Sequence, residues 1–114
     1  MSNERKRELV REYKERPKRR GVYAVRCAPT GQIWASSSPT LESQENSLWF
    51  QLRTGGHPNR ELQTAWTQHG DIAFSYDIVA ELADEPESAY ALRADLKALE
   101  DEWREKLGAK KVTG

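Results

Sequence analysis

Cysteine is almost absent from this chain: Cys27 stands alone among 114 residues. An internal disulfide is therefore impossible, and one cysteine with two histidines is a thin donor set for zinc. Cys27 falls in an expected strand, where it reads as a small buried apolar residue rather than a nucleophile. Long apolar runs are missing too. None approaches the roughly 20 residues that span a bilayer, and no apolar stretch follows the charged N-terminus as a secretory leader requires. A protein of the reducing cytoplasm, without membrane contact, is the expectation. Net charge is also lacking, because 18 Lys and Arg balance 18 Asp and Glu. That excludes a field of one sign over the whole molecule.

The charge that is present is unevenly placed. Residues 1–20 carry nine Lys and Arg against four Glu, whereas Asp71 to Glu105 carry eleven Asp and Glu against Arg93, Lys97 and Arg104. Two readings follow. The basic segment pairs with the acidic C-terminal helix within one domain, or Lys18, Arg19 and Arg20 form an edge that contacts phosphate.

Hydrophobic spacing gives the elements. A helix is expected over 3–16, capped by Ser2 or Asn3, with Leu9, Val10 and Tyr13 as a narrow apolar stripe and Pro17 as its end. Gly21–Cys27 and Gln32–Ser36 read as strands joined across Ala28-Pro29-Thr30-Gly31. Thr40 caps a helix over about 41–53 whose inner face is Leu41, Leu48, Trp49 and Leu52, stopped by Gly55 and Gly56. A second helix over about 59–68 points Leu62, Ala65 and Trp66 inward. Ile72, Phe74, Tyr76 and Ile78 alternate as a third strand. A long helix starts at Glu85 or Pro86 and buries Leu92, Leu96, Leu99, Trp103 and Leu107. The sum is a small α+β domain, with a three-stranded antiparallel sheet flanked by helices.

Several short stretches resemble the GIY-YIG nuclease superfamily. Gly21-Val22-Tyr23 is followed by Thr30-Gly31-Gln32-Ile33-Trp34-Ala35-Ser36-Ser37. Then come Leu52-Arg53-Thr54-Gly55-Gly56-His57-Pro58-Asn59, the Leu62-Gln63, Ala65-Trp66 and Gly70 stretch, and Glu100 with Trp103 three positions on. These occur in the family's order and at its spacing over residues 21–107. The resemblance implies a GIY-YIG endonuclease-like fold for 21–107, preceded by a basic helix and linker over 1–20 docked on the domain. A flexible tail is expected over 108–114.

It also implies where chemistry would sit. Metal-dependent phosphodiester cleavage needs a group that activates water, a cation on the phosphate and a carboxylate for a divalent metal. Tyr23 matches the family's first tyrosine, His57 its loop histidine and Glu100 its metal glutamate. Trp34 stands at the second tyrosine, Gln44 at the helix arginine and Leu48 at the histidine one turn later. Gln44 cannot grip a phosphate as arginine does, and Leu48 cannot move a proton.

The retained residues also have plain structural readings. Tyr23 is an aromatic on a sheet face with its hydroxyl bonded nearby. His57 braces a loop, and Glu100 is a solvated carboxylate. The tryptophans are core, with Trp34 a candidate for the cleft. The expectation is a domain with degenerate catalytic residues, binding nucleic acid or a protein without cutting. Tyr23, Trp34, Gln44 and Glu100 should then line one shallow cleft. No small-molecule cofactor is expected. DNA would be held weakly and without sequence preference through Lys18, Arg19, Arg20, Arg26 and Arg53. The alternative is a divergent endonuclease using Mg²⁺ or Mn²⁺ at Glu100, with Arg26 or Arg53 covering for Gln44.

Overall fold

The structure, a computed structural model, describes residues 19–82 and 88–112. The helix expected over 3–16, its docking, Lys18 and Pro86 lie outside the described residues. Strands β1 (Gly21–Cys27), β2 (Gln32–Ser38) and β3 (Phe74–Glu81) form one sheet in the order β2-β1-β3, with both pairings antiparallel. The β1–β2 hairpin closes where the Gly31 N–H donates to the Cys27 carbonyl at 2.8 Å. Gly31 has a φ of 73°, which only glycine adopts readily.

Helices cover both faces of the sheet. One face presents Tyr23, Val25, Cys27, Trp34, Phe74, Tyr76 and Ile78 to helices α1 (Leu41–Thr54) and α2 (Arg60–His69). Leu41, Leu48, Leu52 and Leu62 are fully buried there. Each such leucine stabilises the fold by roughly 1.5–3 kcal/mol. The other face presents Val22, Ala24 and Ala35 to helix α3 (Ala89–Leu107), which packs Leu99, Trp103 and Leu107 against them. Alternation along each strand puts Tyr23 and Val22 on opposite faces, as a period of two requires. Gly21 opens β1 because no side chain fits there: a Cβ would lie 2.0 Å from the Ala80 carbonyl oxygen.

The caps differ in kind. Asn59 caps α2 by accepting from the Leu62 N–H, and Ser88 caps α3 through the Ala91 N–H. Thr40 stands at the N-cap of α1 but its side chain caps nothing. Its own N–H donates to the Ser38 hydroxyl at 3.0 Å. No helix among the described residues is long and apolar enough to cross a membrane.

Two expectations fail locally. Ile72 is not in β3: Asp71–Ala73 forms a 3₁₀ turn after Gly70, and Ile72 is 95% exposed. Its place in the alternating pattern was coincidental, because the Ala73 N–H donates back to the Gly70 carbonyl and delays the strand to Phe74. The expected loose tail is also tied down over 109–112. The Lys110 N–H donates to the Ile33 carbonyl and its carbonyl accepts from the Ala35 N–H, so Lys110 pairs in parallel with Trp34. Val112 is 1% exposed within the core. Its N–H donates to the Ser36 hydroxyl at 2.9 Å.

Candidate functional site

Of the positions named by the family resemblance, Tyr23, Gln44 and Glu100 meet residues at the end of β2. Tyr23 is 1% exposed, stacked on Tyr76 with ring centroids 5.1 Å apart. Its hydroxyl is hydrogen bonded to Ser36. Burial pushes the Tyr23 phenol up, and the negative charge of Glu100 adds to the shift. Such a phenol stays protonated and makes a poor base. Trp34 is fully buried and packs near Phe74 at 6.4 Å. It reaches no cleft; its indole N–H is buried, with no hydrogen-bond partner among the described residues. Leu48 is core.

Gln44 and Glu100 fasten to adjacent residues of β2, from opposite helical layers. The Gln44 carbonyl oxygen accepts from the Ser38 hydroxyl at 3.2 Å. Glu100 Oε1 accepts from the Ser37 N–H at 2.8 Å and from its hydroxyl at 3.3 Å. Glu100 Oε2 lies 3.6 Å from Arg104 Nη2, and the Glu100 side chain is only 15% exposed. It is therefore not the solvated carboxylate of the plain reading. It is an acceptor for an edge-strand amide, flanked by a guanidinium that also binds Asp101 at 2.6 Å. The expected shallow cleft lined by four side chains is replaced by two sealed aromatics and two polar groups fastened to adjacent residues of β2.

His57 lies in the loop between α1 and α2. It is buried, and its Nδ1 accepts from the Asn59 N–H at 3.0 Å. The His57 backbone N–H donates to Gln63 Oε1. Burial lowers the His57 pKa, which suits a ring nitrogen that must accept. Asn59 in turn donates its amide to the carbonyls of Lys111 and Val112 at 2.8 and 3.0 Å. The loop histidine thus belongs to the fastening of the tail.

The expected phosphate contacts are scattered. Arg19 pairs with Glu81, and Arg26 lies 3.6 Å from Asp77. Arg20 is half-buried where β1 begins. Arg53 is exposed in the last turn of α1. Arg53 stands nine positions after Gln44 on the helix, about 13.5 Å along its axis at about 1.5 Å per residue. Arg26 is turned to Asp77 rather than shown beside Gln44. The cation that stands at Glu100 is Arg104, which sequence reasoning missed although its i,i+4 spacing was a usable signal. Ser37 was missed as well, since no pattern distinguishes it from Ser36 and Ser38.

No family model and no curated protein sequence matches the chain. Solved structures do. The catalytic domain of the intron endonuclease I-TevI, in a mutant form, superposes with a TM-score of 0.66 at 19% identity, over 79% of this chain and 84% of that one. A second structure, of the catalytic domain of the homing endonuclease I-TevI, gives 0.64 at 19% identity over 78% and 88%. The chain has a GIY-YIG-like fold. At this identity the likeness is one of fold alone.

Cleavage assisted by a divalent cation would need a carboxylate open to that cation. The residues present do not fit one. Among the described residues no three His, Cys, Asp or Glu side chains group as ligands. Glu100 Oε1 is occupied by two donors of Ser37 and Oε2 faces Arg104. A cation would have to displace a guanidinium to reach the one carboxylate, and Mg²⁺ held by a single carboxylate leans on substrate phosphate.

Proposed function

We propose that this GIY-YIG-like domain is a non-cleaving binding module. The observation that carries the reading is the engagement of Glu100, whose Oε1 holds the Ser37 N–H and whose Oε2 lies against Arg104. Gln44 and Leu48 stand in place of a cation and a proton carrier, so helix α1 supplies neither at these positions to offset the charge that builds on a phosphate during cleavage. Losing one such donor typically costs about 10²–10³ in rate. The neighbours in fold are named as endonuclease domains, and nucleic acid is the partner this likeness supports. Among the described residues, two of the expected phosphate contacts, Arg19 and Arg26, are paired with Glu81 and Asp77. Binding should be weak, indifferent to sequence and steeply weakened by salt.

The test is a cleavage assay on plasmid and labelled duplex DNA with Mg²⁺ or Mn²⁺. The parent and Glu100→Ala should be equally silent, while anisotropy in low salt reports weak binding that fades as salt rises. Multiple-turnover cutting by the parent, abolished in Glu100→Ala, would overturn the reading in favour of a divergent metal-dependent endonuclease. Tight binding to one duplex sequence, unchanged by moderate salt, would overturn the account of the contacts.

A further inference from the structure

The outward backbone groups of β3 can be assigned from the sheet itself. On β2, the Ile33 carbonyl and the Ala35 and Ser37 N–H groups face outward, bonded to Lys110 and Glu100. The alternate residues Trp34 and Ser36 therefore face β1, opposite Val25 and Tyr23. Ala24 and Arg26 must then face β3, where they pair with Asp77 and Ser75. In an antiparallel ladder this leaves Phe74, Tyr76 and Ile78 turned away from the sheet. The Phe74 N–H is used by the Asp71 carbonyl. Among the described residues no partner meets the Phe74 carbonyl or the N–H and carbonyl groups of Tyr76 and Ile78 on that side.

The same edge borders a recess of about 300 Å³ lined by Trp49, Trp66, Phe74 and Tyr76, with Glu45, Asp71 and Arg53 among its charged residues. Trp49 and Trp66 stack at 5.5 Å and are only partly buried. Ile72, next to the recess residue Asp71 in sequence, is almost wholly exposed. Two carboxylates against one guanidinium make the recess acidic, and aromatic faces attract cations as well as apolar side chains. An unpaired strand edge beside an aromatic recess is the geometry of strand addition, in which the main chain supplies affinity and a pocket supplies choice of side chain.

We propose that the outer edge of β3 takes an extended, cationic peptide segment of a protein partner as an added strand, with a Lys or Arg side chain lying in the recess. Pairing is confined to Phe74–Ile78, because the irregularity opposite Val22 and Tyr23 breaks the register beyond Ile78. The surface is separate from the Glu100 end of β2, so the proposal stands whether or not the domain cuts DNA.

The experiment is an NMR titration of the full chain with a capped seven-residue peptide of alternating valine and threonine carrying one central arginine. Shifts should appear at the Tyr76 and Ile78 amides and the Trp49 and Trp66 indoles. Methylating the peptide's pairing amides should abolish them. Asp71→Lys, an exposed change outside the sheet, should weaken binding at least about tenfold, as expected when a favourable rim charge is reversed. Silence at millimolar peptide would overturn the proposal, as would shifts confined to β2 or an N-methylated peptide that binds equally. It would also fall if the Tyr76 and Ile78 amides are already protected from exchange in the free protein, since the edge is then covered. The same holds if they shift on concentrating the protein alone, which would make the partner a second copy of this chain.

Discussion

Strands β2 and β3 are both outer strands of one sheet, yet they present their edges differently. The edge of β2 is finished in two steps. Lys110 pairs with Ile33 and Ala35, and Glu100 takes the next outward amide, that of Ser37. The edge of β3 has no such finish among the described residues between Phe74 and Ile78. Glu100 and His57 both serve the finished edge, the first directly and the second through Asn59. There a carboxylate that could serve a metal serves a backbone amide instead, and a loop histidine serves the strap. An edge amide is an obligatory donor, so whichever group satisfies it is withdrawn from other chemistry.

The strongest way to break this contrast is to open the finished edge. Val112 is buried beneath it, and Val112→Asp would place an unpaired carboxylate in the core cluster of Tyr23 and Trp34. A loss of about 3 kcal/mol or more is expected, read from urea unfolding at neutral pH. The companion change on the open side, the exposed Ser75→Asp on β3, should stay within about 0.5 kcal/mol. Equal losses from the two would mean that the strap contributes no more than the bare edge does.

Glu100 gives a smaller effect and a sharper one. Removing a charged acceptor from a partly buried amide costs about 1.5–3 kcal/mol, so Glu100→Ala should destabilise by about 2 kcal/mol. Glu100→Gln, which keeps an oxygen for the Ser37 N–H, should lose less. Neither Mn²⁺ nor a chelator should move the melting temperature of the parent. A parent stabilised by Mn²⁺ through Glu100 would show that the carboxylate is free for a cation after all.

These outcomes bear on what the sequence could reveal. The strands, the helices and their order were legible because each apolar pattern matched one period, and because Gly21, Gly31, Gly55 and Gly70 punctuate it. The family motifs were legible for the same reason: Gly21 and Gly31 fix backbone that no other residue fits well. The tail was not legible. Ala109-Lys110-Lys111-Val112 carries a single large apolar residue, and its pairing depends on Asn59, over fifty positions away. Ile72 misled because alternation is blind to a turn forming in its first residues. Arg104 was hidden among acidic neighbours, where a lone arginine reads as surface charge compensation.

The smallest expected effect comes from acid, and it should fall on the finished edge alone. His57 Nδ1 accepts the Asn59 N–H, and Asn59 holds the Lys111 and Val112 carbonyls. A protonated imidazole has no lone pair left to accept. Burial depresses the His57 pKa in the folded protein, whereas an unfolded histidine titrates near about 6.5. The unfolded chain therefore binds the proton first. The stability due to neutral His57 is fully present above about pH 6.5 and is lost as pH falls through the folded value. The melting temperature should decline between neutral pH and about pH 5, and the protection factor of the Ala35 amide, which corrects for slower intrinsic exchange in acid, should fall over the same interval. His57→Gln should flatten that decline while lowering stability throughout. If His57 instead titrates at or above its ordinary value, or if acid frees the β3 amides before that of Ala35, then the histidine does not hold the strap.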